Sequence, residues 1–348
     1  MAPLTFHRIG SFGLPLLLVS STLHLLVPIS FNENGFDNFY RSPKPERRYC
    51  MLTRDLIPKS NKWFPTIEHF PHTLEWYADC WNWIQEQGGD PGPGVDGGFI
   101  VDESVNKKMH KKYWNRAFFP AMQWPVEVLN NSSMVLEYNK MTTKYYQGGW
   151  FQRESSCSSF RERMWKNLDV KPRKSSKKNK RIGIVNRNES RAIADIDILM
   201  QKLHKKYPDA DIHLRAIDSE YKLTNSDDSL EAQAKWFADK DLVILAHGAA
   251  MSNAVFMRPG SSLLELYPSN YFNDMFWLLM EQCGIHHDWY YDGSNKKKRG
   301  KYTEKQARAE TDENWKDRMK NKKKDIHFRW KDVDHIIYHL LKESLSKK

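Results

Sequence analysis

The chain is poor in cysteine and lacks most of the short motifs that hold common cofactors. Cys50, Cys80, Cys157 and Cys283 are its four cysteines, scattered over 348 residues with no Cys-x-x-Cys pair, which argues against a zinc site. Nothing within residues 181–293 resembles GxGxxG, so a nicotinamide cofactor is not indicated. No GxSxG occurs anywhere, which removes an ester hydrolase built on a nucleophile elbow. Gly88–Gly98 (GGDPGPGVDGG) is rich in glycine but lacks GK[ST] and reads as a flexible loop. No DxD carboxylate pair stands at the carboxyl end of an expected strand, which favours chemistry without a metal. His286-His287-Asp288 alternates faces if it lies on a strand, so a structural role is expected there.

Basic residues and aromatics are abundant instead. The net charge is +11, and it is concentrated. Lys171–Arg181 (KPRKSSKKNKR) has seven basic residues and no acidic one, and Ser294–Lys324 has thirteen against five. No recognition helix, zinc finger or RNA-binding motif accompanies these runs, so nucleic acid is not an expected partner. They read as a solvated linker and a loose basic insertion that would favour acidic glycans or an anionic membrane surface. The 13 Trp, 15 Tyr and 17 Phe belong mostly to cores. Trp76, Trp81, Trp83, Trp114 and Trp124 are candidates for lining a cleft where a sugar ring could stack.

After Arg8, the run Ile9–Phe31 is mostly apolar, interrupted by Pro15, His24 and Pro28. It reads as a single-pass signal anchor in preference to a cleaved signal peptide, because no small-x-small cleavage site stands out. A lumenal enzyme would follow, and sequons begin at Asn130, Asn131 and Asn188. In an oxidising lumen, Cys283 is expected to stay a buried free thiol, with any disulfide joining two of the other three cysteines.

The organisation along the chain is α/β. Residues 32–60 form a stem, 61–170 a first domain, 171–180 a basic linker and 181–293 a second domain. Residues 294–324 form the insertion, and 325–348 end in a helix with Val333, Ile336, Ile337, Leu340 and Leu341 on one face. In the second domain, strands are expected at Arg181–Val185, Ile212–Ile217, Leu242–Ala246, Ser262–Leu266 and His287–Tyr290. Helices are expected at Ile196–Tyr207, Leu230–Phe237 and Phe272–Cys283. This alternation is that of a Rossmann-like unit.

The densest chemistry lies in Asp241–Pro268, DLVILAHGAAMSNAVFMRPGSSLLELYP. Leu242–Ala246 is an unbroken apolar run, the pattern of a parallel strand covered on both faces. His247-Gly248-Ala249-Ala250 follows at its carboxyl end, where open α/β sheets bind ligands. Gly248 allows close backbone approach, Ala249 adds little bulk, and a helix beginning nearby would aim N–H groups at an anion. Ser252 is a helix N-cap candidate. Glu265 is a carboxylate inside an apolar strand, suited to binding ribose hydroxyls or pinning the turn. Asn253 either supports the turn or reaches the ligand.

HGAAMSNAVFMRPGSSLLELYP resembles the HGAG-L-T-N-hh-F-x-P-G-hh-hhE-hhP signature of glycosyltransferase family 61. Ala250 stands in place of the usual second glycine and Met251-Ser252 in place of Leu-Thr. IVNRNESRAI resembles the family's h-h-x-R-x-x-x-R-x-h segment, and Phe70-x-His72-Thr-Leu-Glu75 its aromatic-x-H-W/F-L-x-D/E segment, without the usual proline after it. Phe160-Arg161 resembles the F-R pair that closes the family's first domain. The resemblance implies a GT-B-like arrangement of two facing Rossmann-like domains and an inverting, metal-independent transfer from a UDP-sugar. Arg187, Arg191, His247, Gly248, Ala249, Asn253 and Glu265 would bind that sugar donor. His72, Glu75 and Asp79 share one helix face and are the candidates for the base on the acceptor hydroxyl.

The expected function is therefore glycosyl transfer to a hydroxyl of a glycan or glycoprotein at the Golgi or endoplasmic reticulum membrane, with no cofactor beyond the UDP-sugar. The alternative is a catalytically inactive glycan- or polyanion-binding protein of the same fold.

Overall fold

The computed structural model describes residues 48–52, 70–86, 88–89, 97–109, 117–118, 121–123, 126–129, 150–174, 176, 179–188, 190–217 and 229–344. Among these, no helix is long and apolar enough to cross a membrane. The run Ile9–Phe31, the sequons at Asn130 and Asn131, Trp114 and Trp124 lie outside the described residues.

A three-stranded parallel sheet comes first, in the order β1-β2-β3, from strands Arg48–Leu52, Gly97–Asp102 and Val126–Leu129. Helices α1 (Phe70–Glu86) and α2 (Glu103–Met109) lie between its strands in sequence. Leu74, Tyr77, Trp81 and Ile84 of α1 are buried, as their spacing predicts, and so are Trp76, Ala78 and Cys80. A helix apolar almost all round must be covered almost all round, and α1 packs against both α3 (Glu154–Asn167) and a 3-10 helix, Ala249–Phe256. Trp76 and Trp81 therefore fill the core and cannot offer a ring to an acceptor; Trp81 donates to Ser159 Oγ at 3.0 Å. Trp83 is half-buried.

The second sheet is parallel and five-stranded, in the order β5-β4-β6-β7-β8. Its strands are β4 (Arg181–Arg187), β5 (Asp211–Ile217), β6 (Leu242–Ala246), β7 (Ser262–Tyr267) and β8 (His286–Tyr291). The crossovers between them include α4 (Ile196–Lys206), α5 (Leu230–Asp239) and α6 (Trp277–Gln282). Alternation along the strands divides the burial. Ile182, Ile184, Leu242, Ile244 and Leu264 pack with α4 and the later helix α9 (Trp330–Glu343) on one face. Val185, Val243, Leu245 and Leu263 pack on the other with α5, the 3-10 helix and α6.

That second cluster also contains Leu74, Tyr77, Trp81, Phe118, Phe151 and Phe160, so the core runs without a break across residues 171–180. Glu46–Lys348 is one compact unit. Arg161 is the main polar tie: its Nε donates to Val255 O at 2.9 Å and its Nη2 to Cys283 O at 2.6 Å. Burial lowers its pKa to about 10, Glu154 and Glu162 opposing the shift, so it remains a cation.

Three expectations change. Cys283 is not a free thiol. It is bonded to Cys157, with Cα atoms 5.2 Å apart, and Cys50 is bonded to Cys80. The pairing follows from α3 lying against α6, a contact that strand and helix periodicity does not specify. The helix expected over Phe272–Cys283 begins only at Trp277, because Asn270 takes φ +59° and the chain first turns Tyr271 inward to His247 and Phe272 into an aromatic cluster. The basic insertion is not loose: α7 (Glu304–Glu313) starts with a capping box between Thr303 and Gln306, followed by a 3-10 turn at Trp315–Asp317 and α8 (Arg318–Asn321).

The Cys157–Cys283 bond closes a loop of sequence separation 126. Its replacement in Cys157→Ser/Cys283→Ser is expected to lower unfolding stability by about 2–5 kcal/mol in denaturant melts. Non-reducing peptide mapping should recover the two cross-linked pairs.

Candidate active site

β4 is the first strand of its sheet, and the chain steps from it to β5 on one side and β6 on the other. Strand order therefore reverses between β4 and β6, and the crevice outside the carboxyl ends of the strands at such a point is where open α/β sheets bind ligands. Arg187 ends β4, and His247-Gly248 directly follows β6.

The loop after β4 is closed by Asn186, whose Oδ1 accepts from Arg187 N at 2.9 Å and Ile193 N at 2.8 Å. Arg191 sits in this loop at φ +55°, a left-handed conformation that non-glycine residues adopt at a cost. Its Nη1 donates to His247 O at 2.7 Å, tying the loop to the turn. Gly248 has φ +152° and ψ −172°, a region open essentially only to glycine. A Cβ there would stand 3.1 Å from Arg191 Nη1 and 3.2 Å from Arg187 Nη1, so both guanidinium tips lie against the same glycine. Arg187 is 9% exposed, and its Nε is buried with no hydrogen-bond partner among the described residues. A buried cationic donor of that kind suits an anion.

Glu265 is 0% exposed and both its oxygens are engaged. Oε1 lies 2.6 Å from His247 Nδ1 and Oε2 2.9 Å from His287 Nε2. Burial favours its neutral form, but the hydrogen bonds and charges of His247 and His287 outweigh burial and hold it at about 2. With Glu265 ionised, its partner nitrogens are donors. Burial lowers the pKa of His247, with Glu265 opposing and Arg191 and Lys322 adding to the shift, so its imidazole is neutral near pH 7. Its ring is boxed by Tyr267, stacked at 5.2 Å and 22°, and by Phe276 and Tyr271 at 5.5 and 5.6 Å. Nδ1–H is thus fixed on Glu265 and Nε2 is left as the other polar atom of the ring.

Asn253 is buried and donates to Gln233 Oε1 and to Ala250 O, both at 3.2 Å, bracing the 3-10 helix against α5. Ala249 begins that helix and is half-buried, and the first N–H groups there have no partner within the helix. Ser252 lies inside the same helix and so does not cap it. The structure therefore brings Arg187, Arg191, His247 and Gly248 together, with Glu265 and Asn253 as supports behind them. Glu265 has no free oxygen for a ribose.

Glu75 and Asp79 are half-buried on α1, which packs against the 3-10 helix. The His72 side chain lies outside the described residues. His287, which holds Glu265, and Asn186, which closes the loop, are supports that no sequence motif marks. Lys322 is within electrostatic range of Arg191, Arg318 and Arg187. Only Asn186 has a local signal, an Asx residue at a strand end. Among the described residues, no three His, Cys, Asp or Glu side chains are grouped to hold a metal ion. His286 and Asp288 do not join His287 at Glu265.

Two outcomes are expected. Gly248→Ala forces an L-residue into a glycine-only conformation against two guanidinium groups and should abolish anion binding, read by calorimetry. Glu265→Gln should cost about 1.5–3 kcal/mol at pH 7, the worth of hydrogen bonds to a charged group. Glu265 has a depressed pKa, so its contribution is present above the unfolded value near 4.5 and is lost as pH falls toward 2. The gap between wild type and Glu265→Gln should close over that window in pH-dependent melts.

Residues 136–264 match the family described as Glycosyltransferase 61, a span that takes in α3, β4, β6, the His247-Gly248 turn and most of the 3-10 helix's continuation into β7. Comparison with curated proteins finds no match. Arg187, Arg191, His247, Gly248 and Asn253 lie inside the matched span and Glu265 directly follows it, so this part of the chain is similar to glycosyltransferase family 61.

Proposed function

We propose that the protein transfers a sugar from a UDP-sugar to a hydroxyl of a glycan or glycoprotein, inverting the anomeric centre and needing no metal. The observation that carries this reading is the convergence of Arg187 and Arg191 on Gly248 at the sheet's reversal point. In a displacement, the acceptor oxygen forms a bond to the anomeric carbon while the bond to the diphosphate breaks. The electron pair leaves on a phosphate oxygen, and the hydroxyl proton goes to a base. Fixed cations and N–H groups at the phosphate lower the barrier by meeting charge as it grows. Arg187, Arg191 and the N–H groups beginning at Ala249 fill that role, supplying charge that a divalent ion would otherwise bring. His247, held neutral by burial, is positioned by Glu265 beside the same anion.

The base comes from α1, with Glu75, His72 and Asp79 as candidates. The first sheet would form the acceptor side of a GT-B-like pair of facing Rossmann-like domains. Ile9–Phe31 would anchor the enzyme in the Golgi or endoplasmic reticulum membrane, and Asn188, exposed beside Arg187, would face the lumen.

Thermal-shift binding of the full chain to UDP, UDP-sugars and GDP-sugars, with EDTA present, tests the reading. UDP or one UDP-sugar should stabilise the wild type, and Arg187→Ala and His247→Ala should each abolish the shift. A folded protein that ignores every nucleotide but binds heparin-like polyanions would instead be an inactive glycan binder.

A further inference from the structure

The lysine-rich segment is stitched to the arginine loop. Ile326 N donates to Ala192 O at 2.8 Å, and Ala194 N donates to Ile326 O at 3.0 Å, a parallel bridge outside either sheet. Ala192 N donates to Asp325 Oδ1 at 3.2 Å. This places the chain just before Asp325 beside the anion-binding crevice. Lys322 is half-buried there, and the charges acting on it, those of Arg191, Arg318 and Arg187, are all cationic. His247 feels the charge of Lys322 in turn. Arg318 comes from the same segment. Its guanidinium lies 5.6 Å over the ring of Tyr271, and that ring is 5.6 Å from His247.

Like charges gathered in a partly dry crevice repel one another and weaken the empty fold. Such a cluster is stabilised when a ligand of high negative charge density fills it. Two arginines suit a single phosphate group; four cations drawn from both sides of the crevice suit two linked ones. We infer that Arg318 and Lys322 are ligand-binding residues that complete a cradle for a diphosphate, Lys322 engaging the phosphate that Arg187 and Arg191 leave uncovered. The inference rests on the proposed donor site. It adds the chemical selectivity of that site: a diphosphate in preference to a monophosphate, set by residues outside the family-matched span. Lys322 suits the task because its ammonium is a compact charge on a flexible stem.

The test is calorimetric titration of the full-length protein with UDP, UMP and inorganic pyrophosphate, for wild type, Lys322→Met and Lys322→Arg. Lys322→Met should weaken UDP and pyrophosphate about tenfold or more, near 1.4 kcal/mol. It should leave UMP within about twofold and leave the melting temperature of the empty protein unchanged or higher. Lys322→Arg should keep most of the preference for UDP. Equal weakening of UDP and UMP, or unchanged UDP affinity, would overturn the assignment of Lys322 while leaving the donor reading intact. Wild type that binds pyrophosphate but not UDP would sink the donor reading, while loss of pyrophosphate binding in Lys322→Met would still uphold the cradle. Binding of neither ligand by folded wild type overturns both.

Discussion

Glu265 is a fully buried carboxylate in the middle of a buried strand, where a lone charge would be prohibitive. It persists because His247 and His287 each give it a hydrogen bond, one to each oxygen. In return the carboxylate fixes which nitrogen of His247 carries the proton. It also sets where the ring stands among Tyr267, Tyr271 and Phe276. The His247 carbonyl is the acceptor for Arg191, so the position of the turn passes directly to the arginine loop. Removing the carboxylate would loosen a turn, a loop and an aromatic box together.

Behind this arrangement lies the 3-10 helix Ala249–Phe256, which is held from several directions. Asn253 braces it to α5, Arg161 takes the Val255 carbonyl, and Trp165 Nε1 takes the Phe256 carbonyl at 3.0 Å. The last two come from α3, which is itself bonded to the end of α6 through Cys157–Cys283. The first part of the chain therefore rigidifies the floor of the crevice. Preorganised dipoles and charges are effective in proportion to how little they move when a ligand's charge changes, and this floor has few ways to move.

The sheet that positions the site was legible in the sequence, because buried parallel strands are short apolar runs and β4, β6 and β7 are of that kind. Arg187, Arg191 and His247-Gly248 were legible as residues at the ends of those strands. What was not legible depends on contacts between distant segments. Cys283 was expected to be free because nothing local reveals that α3 lies beside α6. The role of Glu265 stays open between two in the sequence because it depends on His287, a residue on the neighbouring strand. Lys322 and Arg318 were hidden in a charge run, and a charge run is usually a solvated face. Only the pairing of Ile326 with the arginine loop singles them out.

The pairing at Ile193 and Ile326 joins residues that are made far apart in time. During synthesis the sheet strands through β8 can assemble as they emerge, since their partners precede them. The arginine loop cannot be finished then. Its Ala192 and Ala194 groups wait for Asp325 and Ile326, and Arg187 and Arg191 have no neighbouring cations from the basic segment until Arg318 and Lys322 arrive. A nascent chain that has reached β8 would thus still lack α9, which covers one face of the sheet, as well as the partners of its arginine loop. Closing that face and closing the loop would be a single late event in biogenesis, brought about by the same last stretch of chain.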